Sequence, residues 1–331
     1  MELRAPFPYF GGKRKVTSAV WQRFGAVDNY VEPFFGSGAV LFGRPDVRGV
    51  ETVSDLDGYV ANAWRAMRAD PDAVAEHAHH PVNENDLHAR HAWLVRQRDT
   101  LRERLEGDPD FYDAKIAGWW IWGMSCWIGS GFCSGKGPWR VEDGRLVRAV
   151  GEEGVNRQRV HLGNDGQGVK RQRVHLGDDG QGDRNPLVPW FHALAKRLER
   201  VRVCSGDWSR VCGKAVTYKH GLTAVFLDPP YSAEAGRDGD LYSEEDLQVA
   251  HAVREWAIEA GKRPDLRVAL CGYEGEHEMP PDWSVYAWNA GGGYGSQAEE
   301  RSGNGRRERI WFSPACLPVL PRQVELFGVV A

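Results

Sequence analysis

The sequence predicts an α/β fold, with one sheet domain supplied by two pieces of the chain and a different region inserted between them. Two observations carry this reading. In residues 1–68 and again in 186–331, short apolar runs that end in Gly- or Asp-bearing turns alternate with helix-patterned segments. Residues 69–185 change texture to charged helical sequence, then Gly- and Ser-rich sequence, then a repeat. At 331 residues and 42% hydrophobic content the chain has enough apolar material for a large core.

The elements follow in order. Residues 29–34 are extended and apolar, Gly36, Ser37 and Gly38 make a turn, and residues 39–42 begin a helix. Residues 50–54 read as a second strand that ends at Asp55. Residues 86–105 place Leu87, Trp93, Leu94, Leu101 and Leu105 at roughly helical spacing among many charges. Residues 111–128 form a far more apolar helix, its most apolar stretch, 116–128, too short to cross a bilayer, and Trp119, Trp120 and Trp122 belong to its buried side. Residues 129–138 are a loop. Residues 154–167 then recur as 168–181, differing only at Asn156/Lys170 and Asn164/Asp178. Each copy carries a short alternating run closed by an Asp-Gly turn signal, which suits a hairpin or loop. Beyond Pro189 the first rhythm returns: a helix over 190–199, a strand over 201–205, and a buried strand over 224–227 that runs into Asp228. A helix over 244–260 with Leu247, Ala250, Val253 and Trp256 on one face comes next, followed by strands over 267–271 and 309–313.

The net charge is -4, from 42 basic and 46 acidic residues, so any polyanion-binding surface must be a local patch. The six cysteines form no Cys-x-x-Cys pair and no zinc spacing. Reduced thiols, a cytoplasmic location and no metal are expected. His77, His79, His80, His88 and His91 read as a solvated surface. The N-terminus lacks a basic region followed by an apolar run, so no signal peptide is expected.

Two stretches carry chemistry. In Glu32-Pro33-Phe34-Phe35-Gly36-Ser37-Gly38 a strand ends in a Gly-rich turn that opens a helix, with the acid Asp55 near the distance at which a ribose ligand is found. Leu41 stands where a dinucleotide fingerprint needs its third glycine, which favours a nucleoside over a dinucleotide. Taken alone this is as readily an ordinary strand-to-helix turn. In Asp228-Pro229-Pro230-Tyr231 an apolar strand delivers an acid to the sheet's carboxyl edge. The prolines have no N–H, so the Asp228 carboxylate and the Pro229 carbonyl are both acceptors, and Tyr231 adds a ring. Two acceptors aimed at one aromatic amine favour a more tetrahedral nitrogen and stabilise positive charge developing there. In isolation the same tetrapeptide is a proline turn.

Together and in this order, Phe7-Pro8-Tyr9-Phe10-Gly11-Gly12-Lys13, the segment 31–40, Ser54-Asp55 and Asp228-Pro229-Pro230-Tyr231 resemble the motifs of the Dam-type DNA N6-adenine methyltransferases. The resemblance covers residues 1–68 and 186–313 and extends to the middle only in position. It implies a Rossmann-like, S-adenosylmethionine-dependent core in residues 1–68 and 186–331, with a helical and hairpin target-recognition region inserted at 69–185. It implies cofactor contacts from Tyr9, Lys13, Glu32, Phe34, Gly36, Gly38, Asp55, Asp207 and Asp228, although Asp207 is equally well placed to cap a helix. Asp228, Pro229, Pro230 and Tyr231 would form the catalytic site, acting on a flipped base by direct transfer. Double-stranded DNA would be the partner, met by Lys136, Arg140, Arg157, Arg159, Lys170, Arg171 and Arg173 through phosphate and base-edge contacts. Two other functions fit the same residues: an N4-cytosine methyltransferase, and a non-catalytic DNA-binding protein that keeps the fold.

Overall fold

The computed structural model describes residues 3–9, 12–127, 132–133, 139–142, 145–148, 185–230, 244–288 and 308–318, of which 139–148 and 244–247 are described by backbone alone. The first half runs α1 (Thr17–Phe24), β1 (Asn29–Glu32), α2 (Ala39–Phe42), β2 (Val50–Asp55), α3 (Gly58–Ala69), α4 (Pro71–Ala78), α5 (Glu84–Gly107) and α6 (Ala114–Cys126). A hairpin of β3 (Trp139–Glu142) and β4 (Arg145–Arg148) follows. Then come α7 (Leu187–Leu198), β5 (Val201–Ser205), α8 (Ser209–Cys212), α9 (Lys214–Thr217), β6 (Thr223–Leu227), α10 (Glu244–Gly261), β7 (Leu266–Tyr273), β8 (Ser284–Ala287) and β9 (Glu308–Phe312).

Seven strands form one sheet in the order β5-β2-β1-β6-β7-β9-β8. The first five are parallel, and β9 lies antiparallel to both β7 and β8. This is the α/β, Rossmann-like architecture expected from the sequence. Every residue of β1 and β6 is buried because helices cover both faces. The pleat divides them: Tyr30 and Phe226 pack into the larger cluster on one face, Val31, Val225 and Leu227 into the smaller cluster on the other. The order reverses between β1 and β6, which open α/β sheets use as a ligand crevice at the strands' carboxyl ends.

Four helices start on acid or amide caps. Asp57, Asp70, Asn83 and Asp113 accept from backbone N–H groups two or three residues into α3, α4, α5 and α6. These helices are not a separate body. Val74 of α4, Leu94, Leu101 and Leu105 of α5, and Ile116, Trp120 and Ile121 of α6 lie in the same hydrophobic cluster as the sheet. The helical half of 69–185 therefore completes the core on one face of the sheet.

One expectation changes. His91 is not on a solvated surface: it is buried at 4% exposure and stacked on Trp127 at 4.8 Å. Burial holds its imidazole down, to a pKa of about 4, in the neutral form that this packing requires. β3 and β4 pair antiparallel, with Glu142 opposite Arg145. The hairpin expected within 154–181 lies outside the described residues.

Candidate active site

The carboxyl ends of β1 and β6 open onto a cleft of about 270 Å³, a volume that includes open solvent. It is lined by Tyr9, Gly12, Lys13, Glu32, Phe34, Phe35, Gly36, Ser37, Ala39, Phe226 and Asp228. Six of the expected cofactor residues thus meet in one place: Tyr9, Lys13, Glu32, Phe34, Gly36 and Asp228.

The turn after β1 needs glycine twice, for different reasons. Gly36 has φ 45°, and a Cβ there would run into the Tyr9 ring. Gly38 has φ 64° as the residue that opens α2, and a Cβ would strike the Phe35 ring. The Gly36 backbone is held from both sides: its N–H donates to Asp55 Oδ2 at 2.8 Å, and its carbonyl accepts from Trp64 Nε1 at 2.8 Å. Gly38 shapes the turn without lining the cleft.

Asp55 also stands behind the cleft rather than in it. Its second oxygen accepts the Asp57 N–H at 2.9 Å. Burial, with the nearby Asp57 charge, raises its pKa to about 7, against the opposing effect of its backbone hydrogen bonds. Glu32 is 3% exposed and accepts from the Tyr30 hydroxyl at 2.9 Å. Burial pushes its carboxyl well above the ordinary range, and the Tyr30 hydrogen bond only partly opposes this.

From the other side β6 delivers Asp228, which forms an ion pair with Lys13 at 2.8 Å, the two side chains being 21% and 5% exposed. Burial favours a neutral lysine. Burial is the largest single effect, but the attraction and hydrogen bond of Asp228, together with the surrounding charges, more than offset it, and the Lys13 pKa ends above its ordinary value. The Trp288 ring centroid lies 5.9 Å from the same ammonium. Cys271 of β7 adjoins Asp228; burial first, then that carboxylate, keeps it a thiol. Lys13 therefore grips the carboxylate that the sequence assigned to chemistry, a role its N-terminal motif did not disclose. Pro229 is buried and Pro230 half-buried behind Asp228. Tyr231 lies outside the described residues.

Asp207 stays apart from this cluster. It is exposed beyond the end of β5 and accepts from the Ser209 N–H at 2.9 Å and from the Ser209 hydroxyl, organising the start of α8. Lys136, Arg157, Arg159, Lys170, Arg171 and Arg173 lie outside the described residues. Arg140 lies in β3, but its side chain is not described. Sequence reasoning missed Trp288 as a neighbour of Lys13 and Cys271 as a neighbour of Asp228, and no local pattern marks them. They arrive through the pairing of β7 and β8 with β9.

Among the described residues no helix is long and apolar enough to cross a membrane, and no group of three or more His, Cys, Asp or Glu side chains is arranged to hold a metal. A search of curated proteins gave no match. Residues 9–110, from Tyr9 through Lys13, the glycine turn and Asp55 to the end of α5, match the family model described as D12 class N6 adenine-specific DNA methyltransferase. With the Rossmann-like sheet and the cleft at its switch point, this match makes the chain similar, over its first third, to the D12 class N6 adenine-specific DNA methyltransferases.

Proposed function

We propose that the chain transfers the methyl group of S-adenosylmethionine directly to N6 of an adenine flipped out of duplex DNA, in the cleft between β1 and β6. The observation that carries this reading is the meeting of Asp228 with the glycine turn in one cleft. The cleft's chemistry fits the cofactor. Gly36, without a side chain, lets the Tyr9 ring pack directly on the turn that lines the cleft, and the site lies at the sheet's reversal point, where nucleotide-like ligands bind. Tyr9, Lys13, Glu32, Phe34 and Gly36 would hold the cofactor, with Asp55 and Gly38 supporting the turn. Bound there, S-adenosylmethionine supplies an electrophilic methyl group on a sulfonium.

The chain's own residues do the rest. Adenine N6 is a poor nucleophile because its lone pair is delocalised into the ring. Asp228 accepts one amine hydrogen and the Pro229 carbonyl the other, which localises the lone pair and stabilises the charge that builds on nitrogen. Removing one preorganised partner of this kind costs about 10²–10³ in rate. Lys13 fixes the carboxylate, and Tyr231 stacks on the extruded base. Lys136, Arg140 and the basic residues of the repeat, Arg157, Arg159, Lys170, Arg171 and Arg173, contact DNA phosphates and base edges. Asp207 serves the start of α8, with the cofactor's adenosine as its second possible partner. Work on DNA fits the cytoplasmic location expected from the sequence.

The test uses purified protein, duplex DNA and methyl-labelled S-adenosylmethionine, followed by digestion to nucleosides. Label in N6-methyladenine supports the reading. Label in N4-methylcytosine, or DNA binding with no label transferred, overturns it.

A further inference from the structure

Outside the cleft, α5 and α6 set a row of cations against tryptophan rings. Arg90 and Trp93 stand three residues apart on α5, and Lys115, Trp119 and Trp122 stand at i, i+4 and i+7 on α6, so each set shares one helix face. The Lys115 ammonium lies 4.8 Å from the Trp93 ring centroid and 4.5 Å from that of Trp119. The Arg90 guanidinium lies 5.1 Å from the Trp119 centroid and 4.3 Å from that of Trp122. Trp93 and Trp119 meet edge to face at 5.1 Å, and the Trp122 indole N–H donates to the His80 carbonyl at 3.0 Å. Lys115 is exposed, Arg90, Trp93 and Trp119 are half-buried, and Trp122 is buried. Among the described residues neither cation is paired with a carboxylate. Asp86, the acid one turn before Arg90, accepts from Asn83 instead. Arg90 Nη1 is buried without a hydrogen-bond partner, and so is His80 Nε2. Polar atoms left in that state are costly.

We propose that this cation–tryptophan array is a DNA-backbone contact: Arg90 and Lys115 each meet a phosphate of the duplex whose adenine enters the cleft. A ring engages the face of a guanidinium or one side of an ammonium and leaves other N–H groups free to donate. Two fixed cations without a carboxylate make a local positive patch on a chain of net charge -4, and phosphate is the complementary group. The rings hold these long side chains before DNA arrives, so less side-chain freedom is lost on binding. The array also adjoins the region already proposed for DNA: β4, the partner of the β3 strand that carries Arg140, packs against α5. Phosphate contacts carry no base information. The array therefore supplies affinity and register, and sequence choice stays with other residues.

The inference rests on the proposed action on DNA, and the experiment separates the two. Binding of a fluorescent duplex is measured over a series of salt concentrations for wild type, Lys115→Gln, Lys115→Arg and the double variant Arg90→Gln/Lys115→Gln. Melting and S-adenosylmethionine affinity are measured alongside. Each phosphate contact contributes about 0.9 to the slope of log K against log salt. The expected slope is shallower by about 1 in Lys115→Gln and by about 2 in the double variant, with weaker binding to every duplex sequence alike. Lys115→Arg keeps the wild-type slope, and cofactor affinity holds throughout. Lys115 is exposed, so Lys115→Gln reads the contact even where Arg90→Gln lowers melting. A Lys115→Gln slope equal to wild type overturns the inference, as does a loss of DNA affinity that tracks melting. A wild type that binds no duplex overturns the DNA reading itself. A wild type that binds duplex, with variants of unchanged slope, overturns only the role of the array.

Discussion

Replacing Asp55 by Asn should remove a pH dependence that the buried carboxylate imposes on the fold. Asp55 is 8% exposed and its pKa is raised to about 7, first by burial and then by the Asp57 charge. An unfolded chain releases that proton near pH ~3.9. Between these values the folded protein holds a proton that the unfolded chain has lost, so this residue's contribution to stability falls as pH rises from about 4 to about 7 and levels off above. Going from pH 8 to pH 5 takes the folded side chain about two pH units below its own pKa, at ~1.36 kcal/mol each, or roughly 2–3 kcal/mol. The assay is urea unfolding followed by tryptophan fluorescence, for wild type and Asp55→Asn at both pH values. Asn keeps only one acceptor for the Gly36 and Asp57 N–H groups. That loss is the same at both pH values and cancels in the double difference. The wild type should gain about 2–3 kcal/mol more than the variant on going to pH 5. A double difference below about 0.5 kcal/mol would show that Asp55 titrates as an ordinary exposed acid, and the reasoning from its burial would be wrong.

Two further perturbations test separate parts of the account. Gly36→Ala places a side chain at φ 45° and against Tyr9; it should cost about 1–3 kcal/mol of stability and weaken S-adenosylmethionine binding at least tenfold, read by melting and calorimetry. Deleting residues 168–181, one copy of the repeat, should weaken DNA binding more than cofactor binding. Equal DNA affinity at fixed salt would remove the repeat from the DNA surface.

What the sequence makes legible follows from how local each signal is. Strand periodicity, turn glycines and the acid at a strand end are all written within a few residues. Thus β1, β2, β5, β6 and the position of Asp228 at the sheet edge could be read in advance, and the observed strands lie within about two residues of the expected ones. Helices α1, α3 and α4 escaped notice, although Asp57, Asp70 and Pro71 signal two of their starts. The pairing of β3 with β4 has only four-residue strands behind it, too short for a periodicity signal to stand out. His91 reads as polar in sequence, yet its place on α5 turns it toward Trp127.

The candidate site divides along the same line. Its motifs name residues one by one, but pairing between distant strands decides what they touch. Lys13 carries a cofactor motif and is found gripping Asp228. Asp55 is in the expected place, with its carboxylate given to the backbone of Gly36 and Asp57. Trp288 comes beside Lys13 only because β8 pairs with β9 from the far end of the chain; no local spacing encodes that contact.

The most direct test of the central claim is methyl transfer by Asp228→Ala, with labelled S-adenosylmethionine and duplex DNA, in a variant shown by calorimetry to bind the cofactor. The account predicts N6-methyladenine from the wild type and a loss of at least about 10²-fold in rate from the variant. Transfer by Asp228→Ala at the wild-type rate would contradict it and move the chemistry away from the cleft between β1 and β6.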